Sequence, residues 1–257
     1  MRWTLPLGVC LGLAVGLGCN DPKELIDKVE SAQATARKEQ PPPPEPTTTK
    51  PTTMPELLVD TLGALLGPKR VAKLGTPEGK AELKEAVKQL PVNDNPVTLR
   101  VDKKAKITDV AAVVEAFGEA GAPKVVVQSE GRADLPKELR LTPLCRLPQP
   151  PGCSIVATVT EDVDTGVWPL KGGGGLKARK GWAGPDLAIT AKNLKKQIEA
   201  CDSKAAFFSA NEKYEFQVAF NLGGTVVQSD EKGKIENLVL LGPEPVAGRK
   251  VELEFKK

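Results

Sequence analysis

The sequence of 257 residues contains no histidine, and only 4% of its residues are aromatic. Histidine is the commonest general base and metal ligand in proteins, so its absence excludes Ser-His-Asp and Cys-His catalysis and histidine-containing zinc sites. With so few aromatic residues, a core has to be built mainly from valine, leucine, isoleucine and alanine. The net charge of +3 is too balanced to indicate a nucleic-acid partner, and no basic stripe is interleaved with aromatic residues.

The first nineteen residues have the pattern of an export signal. Met1-Arg2 gives a short positive segment, and an apolar run follows at 5–17. This run is shorter than the roughly 20 apolar residues that a membrane-spanning helix needs. It ends in Gly16-Leu17-Gly18-Cys19, which resembles the lipobox of bacterial lipoproteins, although Gly16 stands where that motif usually has leucine. We therefore predict a lipoprotein-type signal peptide at 1–19 with lipidation of Cys19. An ordinary cleaved signal and an uncleaved anchor are the alternatives.

Residues 20–55 are predicted to form a helical and Pro/Thr-rich tether. Residues 21–40 can form a polar amphipathic helix, and the proline-rich run at 41–53 favours an extended polyproline conformation that cannot bury a core. Such a tether fits a body held away from a membrane on the periplasmic face of a bacterial envelope. The sequence leaves open whether that membrane is the inner or the outer one.

The hydrophobic periodicity beyond the tether predicts a globular body. Helical spacing is found at 56–66, 76–90, 108–117, 190–201 and 216–227, and strand patterns at 97–101, 124–128, 154–159, 166–170, 205–210 and 235–241. The order helix, strand, helix, strand therefore occurs at 76–128 and again at 190–241, which indicates a divergent internal repeat. In this repeat Asp102-Lys103-Lys104 aligns with Asn211-Glu212-Lys213.

The segment VTLRVDKKAKITDVAAVVEAFGEAGAPKVVV at 97–127 resembles the closing half of the periplasmic domain of the ExbD/TolR family. That half has a strand ending in aspartate, a few polar residues, a helix, then Ala-Gly and a valine-rich strand. Residues 154–241 resemble the whole domain more loosely. The resemblance implies an α/β (α+β) fold made of two small ExbD/TolR-like units, with short sheets and helices on one face, after a disordered N-terminal stalk. The implied boundaries are a first unit at 56–132, a Pro-rich linker at 133–152, a second unit at 153–245 and a C-terminal tail or edge strand at 246–257.

Members of this family are accessory stators of proton-driven envelope machines, and their N-terminal membrane helix carries a proton-carrying aspartate. Residues 5–17 contain no acid, and cleavage at Cys19 would remove that segment, so proton coupling is not transferred to this chain. What the resemblance does imply is a domain that dimerises and contacts peptidoglycan or partner proteins.

We therefore expect a non-catalytic, lipid-anchored scaffold or interaction protein that binds peptidoglycan or an envelope transport partner, with a homodimer as one option. One alternative is a hydrolase acting on the cell wall, which needs a cleft with converging carboxylates. Another is a lipoprotein carrier or chaperone, which needs a deep apolar pocket.

Three cysteines, Cys145, Cys153 and Cys201, lie beyond the tether. An oxidising periplasm favours a disulfide, either between Cys145 and Cys153 or between Cys153 and Cys201, and their spacing does not select one pairing. A catalytic thiol has no histidine partner in this sequence.

The glycine-rich run at 172–175 is followed by Lys177, Arg179, Lys180 and Trp182. These residues are a candidate loop for an anion or a glycan, because successive backbone N–H groups can cradle an anion. The run lacks the Gly-Lys-Ser/Thr ending of a Walker loop, and a flexible hairpin loop is the alternative.

Three acids at 161–164 could offer oxygen ligands to Ca²⁺, but the twelve-residue loop pattern is missing, which favours a solvated turn. We expect no catalytic residue, no cofactor and no metal site in this chain.

Overall fold

The computed structural model describes residues 53–93 and 95–253. The predicted signal peptide, Cys19 and the tether up to residue 52 lie outside the described residues. In the described part, a mixed sheet of eleven strands carries four α-helices packed into one continuous core. The predicted α/β class is confirmed at this level.

The first half of the sheet begins with an antiparallel meander of three strands and continues with helix, strand, helix, strand. Its elements are β1 (Leu57–Asp60), β2 (Gly63–Leu66), β3 (Lys69–Val71), α1 (Pro77–Lys88), β4 (Val97–Val101), α2 (Ile107–Glu119) and β5 (Val125–Ser129), followed by β6 (Glu138–Leu141) and a 3₁₀ turn (Leu144–Arg146).

The second half has the same order of elements, with one small hairpin inserted after its meander. Its elements are β7 (Ile155–Val159), β8 (Thr165–Pro169), β9 (Leu176–Ala178), the hairpin strands β10 (Lys180–Gly181) and β11 (Gly184–Pro185), α3 (Leu187–Glu199), β12 (Ala205–Ala210), α4 (Phe216–Ser229) and β13 (Asn237–Leu240).

The strand order across the sheet is β3-β2-β1-β4-β5-β6-β13-β12-β7-β8-β9. Strands β1, β4 and β5 are parallel to one another, and so are β7, β12, β13 and β6. Because β6 is antiparallel to β5, the two halves run in opposite directions and meet at β6. They are therefore related by an approximate two-fold axis, and both lie in one compact unit.

The loops that follow β4 and β12 have the same conformation. Asp102 Oδ1 accepts the N–H of Lys104 at 2.7 Å, and Asn211 Oδ1 accepts the N–H of Lys213 at 3.2 Å. In each half, the same Asp or Asn donates its own N–H to the first strand of the meander at 2.8 Å. The two segments aligned from the sequence thus form equivalent Asx turns, which end a strand and lead into a helix.

The two halves are interlocked through helices α2 and α4. The N–H groups of Phe216 and Gln217, at the start of α4, donate to the carbonyls of Ala105 and Lys103, just before α2, at 2.9 Å each. These bonds satisfy two of the N–H groups that the first turn of a helix leaves without an internal partner.

Each of these helices also packs against the chain that leaves the last strand of the other half. A Cβ on Gly131, after β5, would lie 2.9 Å from the Phe220 ring of α4. A Cβ on Gly242, after β13, would lie 3.4 Å from Ala111 of α2. Ala111 and Phe220 are equivalent positions in the repeat, so the exchange of contacts is reciprocal.

The two faces of the sheet are covered differently. The helices bury one face of both halves in the main core. Among the described residues, the opposite face carries a buried cluster in the second half, where Trp168 and Phe207 pack with partly buried residues of the C-terminal segment such as Val251. On the opposite face of the first half, Thr98 and Arg100 are exposed.

The helix predicted at 56–66 is wrong, because this segment forms the hairpin β1–β2. Asp60 Oδ1 accepts the N–H of Leu62 at 2.7 Å, and Gly63 has a φ of 116°. An aspartate that closes a turn and a glycine with positive φ favour a hairpin, and pairing of β1 with β4 then outweighs the helical spacing of the leucines.

The sequence predicted that a helix begins at Thr190, and this start is wrong. Helix α3 begins three residues earlier, and Asp186 is its N-cap, accepting the N–H of Ile189 at 3.0 Å. Thr190 lies inside the first turn and donates its hydroxyl to the carbonyl of Asp186. The start at Thr76-Pro77 is confirmed, since Thr76 Oγ1 accepts the N–H of Gly79 at 3.1 Å.

The predicted linker and the C-terminal segment both contribute to the body. Residues 133–152, predicted as a linker, contain β6, which joins the halves of the sheet, and the 3₁₀ turn. Residues 246–253, predicted as part of a tail or edge strand, form no strand and lie on the outer face of the second half.

Candidate functional site

In the glycine run at 172–175, the backbone N–H groups of the first two residues are not free to bind an anion. The N–H of Gly172 donates to the carbonyl of Pro169 at 2.8 Å, and the N–H of Gly173 donates to the carbonyl of Gly248 at 2.9 Å. Both groups are therefore occupied within the protein. These glycines have φ values of 86° and 82°, which explains why glycine is needed there.

The basic residues of the same run lie along the edge of the sheet. Lys177 belongs to edge strand β9, Arg179 follows it, and Lys180 begins β10; all three are exposed. The backbone N–H of Lys180 donates to Asp164 Oδ1 at 3.0 Å. The three basic side chains therefore stand next to the groove described below without lining it.

The two tryptophans of the described chain have opposite environments. Trp168 is fully buried in the outer core, and its Nε1–H donates to the carbonyl of Arg249 at 2.8 Å. Trp182 lies at the tip of the β10–β11 hairpin and has a relative exposure of 106%. Only Trp182 is therefore available to a ligand.

Trp182 stands at a groove of about 430 Å³ on the helical side of the sheet. The groove lies between the β10–β11 hairpin, the start of α3, the end of α4 and the loop that joins β5 to β6. Its lining residues are Arg132, Asp134, Leu135, Gly181, Trp182, Ala183, Gly184, Pro185, Asp186, Leu187, Ala188, Ala191, Thr225 and Gln228.

The polar rim of the groove is held by a bidentate ion pair. Arg132 Nε lies 2.9 Å from Asp134 Oδ1, and Arg132 Nη2 lies 2.8 Å from Asp134 Oδ2. The guanidinium lowers the pKa of the Asp134 carboxyl from its ordinary value. The Gln228 side chain donates to the backbone carbonyl of Asp134, which ties the loop to the end of α4.

The Asp134 carboxylate of the groove does not have the environment of a general acid. A general acid needs a raised pKa, whereas that of Asp134 is lowered. Asp186 is engaged as the N-cap of α3. Burial does raise the pKa of Asp109, but this residue lies in the first turn of α2 and does not line the groove.

A second cavity in the described part of the chain is smaller, about 320 Å³, and is lined by Val87, Lys88, Leu90, Val92 and Ala120. It lies at the ends of α1 and α2 and is open to solvent. Neither of these cavities has the enclosed apolar shape that a lipid or ligand carrier needs.

Cys153 and Cys201 form a disulfide with a Cα–Cα distance of 5.7 Å, so the second of the two pairings left open by the sequence is the one present. Cys145 is a half-buried free thiol. Burial and the nearby Glu115 carboxylate raise its pKa, which disfavours a reactive thiolate. Glu115 instead accepts the backbone N–H groups of Leu144 and Cys145.

The acids at 161–164 form a turn between β7 and β8. Glu161 pairs with Lys213 at 3.3 Å, and Asp164 accepts the backbone N–H of Lys180. Over residues 53–93 and 95–253, no group of three or more cysteine, aspartate or glutamate side chains is placed to hold a metal ion.

Sequence reasoning identified Trp182 but missed Arg132, Asp134 and Gln228. Arg132 is the last residue of the predicted first unit, Asp134 lies in the predicted linker, and Gln228 lies in the last turn of α4. Their approach to Trp182 depends on the packing of α4 against the loop 130–137 and β6, and nothing in the local sequence signals that packing.

No helix in the described segments is both long and apolar enough to cross a membrane. Comparisons with protein-family models, with curated proteins and with solved structures gave no match to this chain.

Proposed function

We propose that this chain is a non-catalytic, lipid-anchored interaction protein of the bacterial cell envelope. Its body consists of two ExbD/TolR-like units that bind peptidoglycan or an envelope transport partner on the periplasmic side. Cys19 anchors the chain, the tether at 20–55 supplies reach, and the body supplies the binding surface.

The observation that carries the binding role is the exposed Trp182 beside an open groove. Trp offers a large apolar area and is enriched at binding sites, where its truncation is often costly. The paired Arg132 and Asp134 provide orienting polar groups at the same rim. Such a combination suits recognition rather than bond cleavage.

The repeated order of elements supports the proposed family. Each half contains strands followed by helix, strand, helix, strand, and its closing strand, helix, strand has the order given above for the closing half of the ExbD/TolR domain. The matching Asx turns at Asp102 and Asn211 support a common origin of the two halves.

Co-sedimentation with purified sacculi tests this function. The full-length protein in mild detergent should pellet with sacculi in a saturable manner, and muropeptides should not be cleaved during the incubation. A reversed-phase profile of the sacculi before and after incubation measures cleavage. Release of new muropeptides would contradict the proposal and would indicate a cell-wall hydrolase.

A further inference from the structure

The Trp182 side chain is not part of the core of the body. The five phenylalanines that the structure describes, Phe117, Phe207, Phe208, Phe216 and Phe220, are all fully buried. Trp182 is instead completely exposed on a two-stranded hairpin that is separate from the main sheet. Exposing a tryptophan forgoes the stabilisation that its burial gives, so its position calls for an explanation outside the core.

The groove is formed where the two halves of the repeat differ. In the first half, residues 72–76 connect β3 directly to α1, whereas the second half inserts the hairpin 180–185 between β9 and α3. After β5 the chain forms the loop 130–137 and returns as β6, whereas after β13 it continues onto the outer face. The inserted hairpin and the returning loop are the two segments that meet at the groove. The hairpin has no counterpart in the first half, and the loop takes a course that the second half does not repeat. These two departures from the repeat favour a role of the groove in binding.

The shape of the groove suits a flat ligand. Its floor and hairpin wall are rich in small residues, namely Gly181, Ala183, Gly184, Ala188 and Ala191. Small side chains let a ring approach the backbone closely, while the Trp182 indole offers a broad apolar face for stacking.

The charge of the groove suits a neutral ligand. Arg132 and Asp134 neutralise each other in their bidentate pair, and the remaining charged residue of the lining, Asp186, is an acid that caps α3. Lys177, Arg179 and Lys180 do not line the groove. A phosphate or another strong anion would meet no unpaired cation there. The planar guanidinium, carboxylate and amide groups of Arg132, Asp134 and Gln228 can still exchange hydrogen bonds with adjacent hydroxyl groups.

From these observations we propose that the groove is a binding subsite for a neutral saccharide, with one sugar ring stacked on Trp182 and its hydroxyls bonded to Arg132, Asp134 and Gln228. This inference rests on the proposed binding role and specifies peptidoglycan glycan, rather than a protein, as the ligand of this site.

Tryptophan fluorescence tests the subsite directly. The full-length chain with Trp3→Phe, in mild detergent, is titrated with a β-1,4-linked tetramer of N-acetylglucosamine. Because Trp168 is buried, a saturable change in emission reports on Trp182. The proposal predicts such a change, together with protection of Trp182 from acrylamide quenching.

Two variants and one control locate the site by calorimetry. Trp182→Ala should weaken tetramer binding at least about tenfold, and Arg132→Met should weaken it by a smaller factor. Arg179→Ala, beside the hairpin but outside the groove, should bind like the parent chain. Far-ultraviolet circular dichroism should be unchanged in all three variants, since these side chains are exposed.

The outcomes separate this inference from the proposed function. If the parent chain pellets with sacculi but does not bind the tetramer, or if Trp182→Ala binds it normally, the subsite is wrong and the function stands. Tetramer binding that depends on Trp182 without sacculus binding supports the subsite and overturns the peptidoglycan proposal. If Trp182→Ala loses an envelope-protein cross-link while tetramer binding is absent, the groove is a protein-docking site instead.

Discussion

Lys124 is the side chain that joins the two halves of the sheet at their seam. Its ammonium lies 2.7 Å from Thr142 Oγ1 at the end of β6, 2.6 Å from the carbonyl of Glu236 and 3.0 Å from Asn237 Oδ1 at the start of β13. Strands β6 and β13 themselves share one registered pair, Leu141 and Leu238. The junction between β6 and β13 therefore depends on the hydrogen bonds of Lys124 as well as on the pairing of the two strands.

Replacing Lys124 by Met should lower the free energy of unfolding by about 2–3 kcal/mol, because hydrogen bonds to a charged group are lost and their acceptors are left in a partly buried site. Denaturant unfolding followed by circular dichroism measures this change. Lys84→Met is the matched control: Lys84 pairs with Glu119 at 3.0 Å on the surface and should cost less than about 1 kcal/mol. Equal losses in the two variants would contradict a special role for Lys124.

Asp109 gives a prediction for the dependence of stability on pH. Burial raises the pKa of its carboxyl above the ordinary value, against an opposing influence of Lys106. The folded chain therefore binds more protons than the unfolded chain between the unfolded and folded pKa values, and the contribution of Asp109 to stability rises as the pH falls through that window.

Asp109→Asn should consequently raise the melting temperature at neutral pH, and the difference from the parent chain should shrink as the pH falls toward about 4. Thermal unfolding at several pH values measures both effects. A lower melting temperature of the variant at neutral pH would contradict this prediction. It would show that the interaction of the Asp109 charge with the helix dipole stabilises the fold by more than the burial of that charge destabilises it.

At the scale of elements, the disulfide ties the start of β7 to the end of α3. Cys153 and Cys201 are 48 residues apart. The chain-entropy model gives about 4 kcal/mol for a cross-link that closes a loop of this length. The double variant Cys153→Ala, Cys201→Ala should therefore lose about 2–5 kcal/mol of stability, whereas Cys145→Ala should change it little. Thiol titration of the unreduced, denatured chain should find Cys145 reactive, and Cys153 and Cys201 protected. Reactivity at Cys153 would contradict the pairing.

Gly223 lies inside α4, where helix propensity alone favours alanine by about 1 kcal/mol. A Cβ at this position would lie 2.8 Å from Leu139 Cδ1 and 2.9 Å from the Phe208 ring. Gly223→Ala should therefore destabilise the chain, by roughly 1–3 kcal/mol, as measured by denaturant unfolding. Gly75→Ala, where a Cβ meets nothing within 4 Å, is the control and should leave stability nearly unchanged.

Elements whose signals are local were predicted well from the sequence. The alternation at 97–101 and the capping residue Thr76 are such signals, and β4 and α1 follow them closely. The prediction for 56–66 was wrong, because the spacing of its leucines fits a helix and the local sequence carries no signal of the pairing between β1 and β4. The groove could not be predicted for a related reason. Arg132 and Gln228 are brought together by the packing of α4 against the loop 130–137, which depends on the tertiary fold.

At the scale of the whole molecule, the repeat places two similar halves about one approximate two-fold axis. The helices bury one face of both halves, and the C-terminal segment covers the opposite face of the second half. The halves differ most at the inserted hairpin and at the loop 130–137. This division fits the proposal that the repeated framework supplies stability and that the groove at Trp182 supplies recognition.

Photo-cross-linking in cells tests the central claim, that the body binds an envelope component through this groove, most directly. A photoreactive phenylalanine derivative is placed at Ala183 in the hairpin, and in a control at Thr98, which is exposed on the opposite face of the first half. The account predicts that, after irradiation, the residue at 183 links the chain to peptidoglycan or to an envelope protein and the residue at 98 does not. Absence of any product at 183, or equal products at both positions, would contradict it.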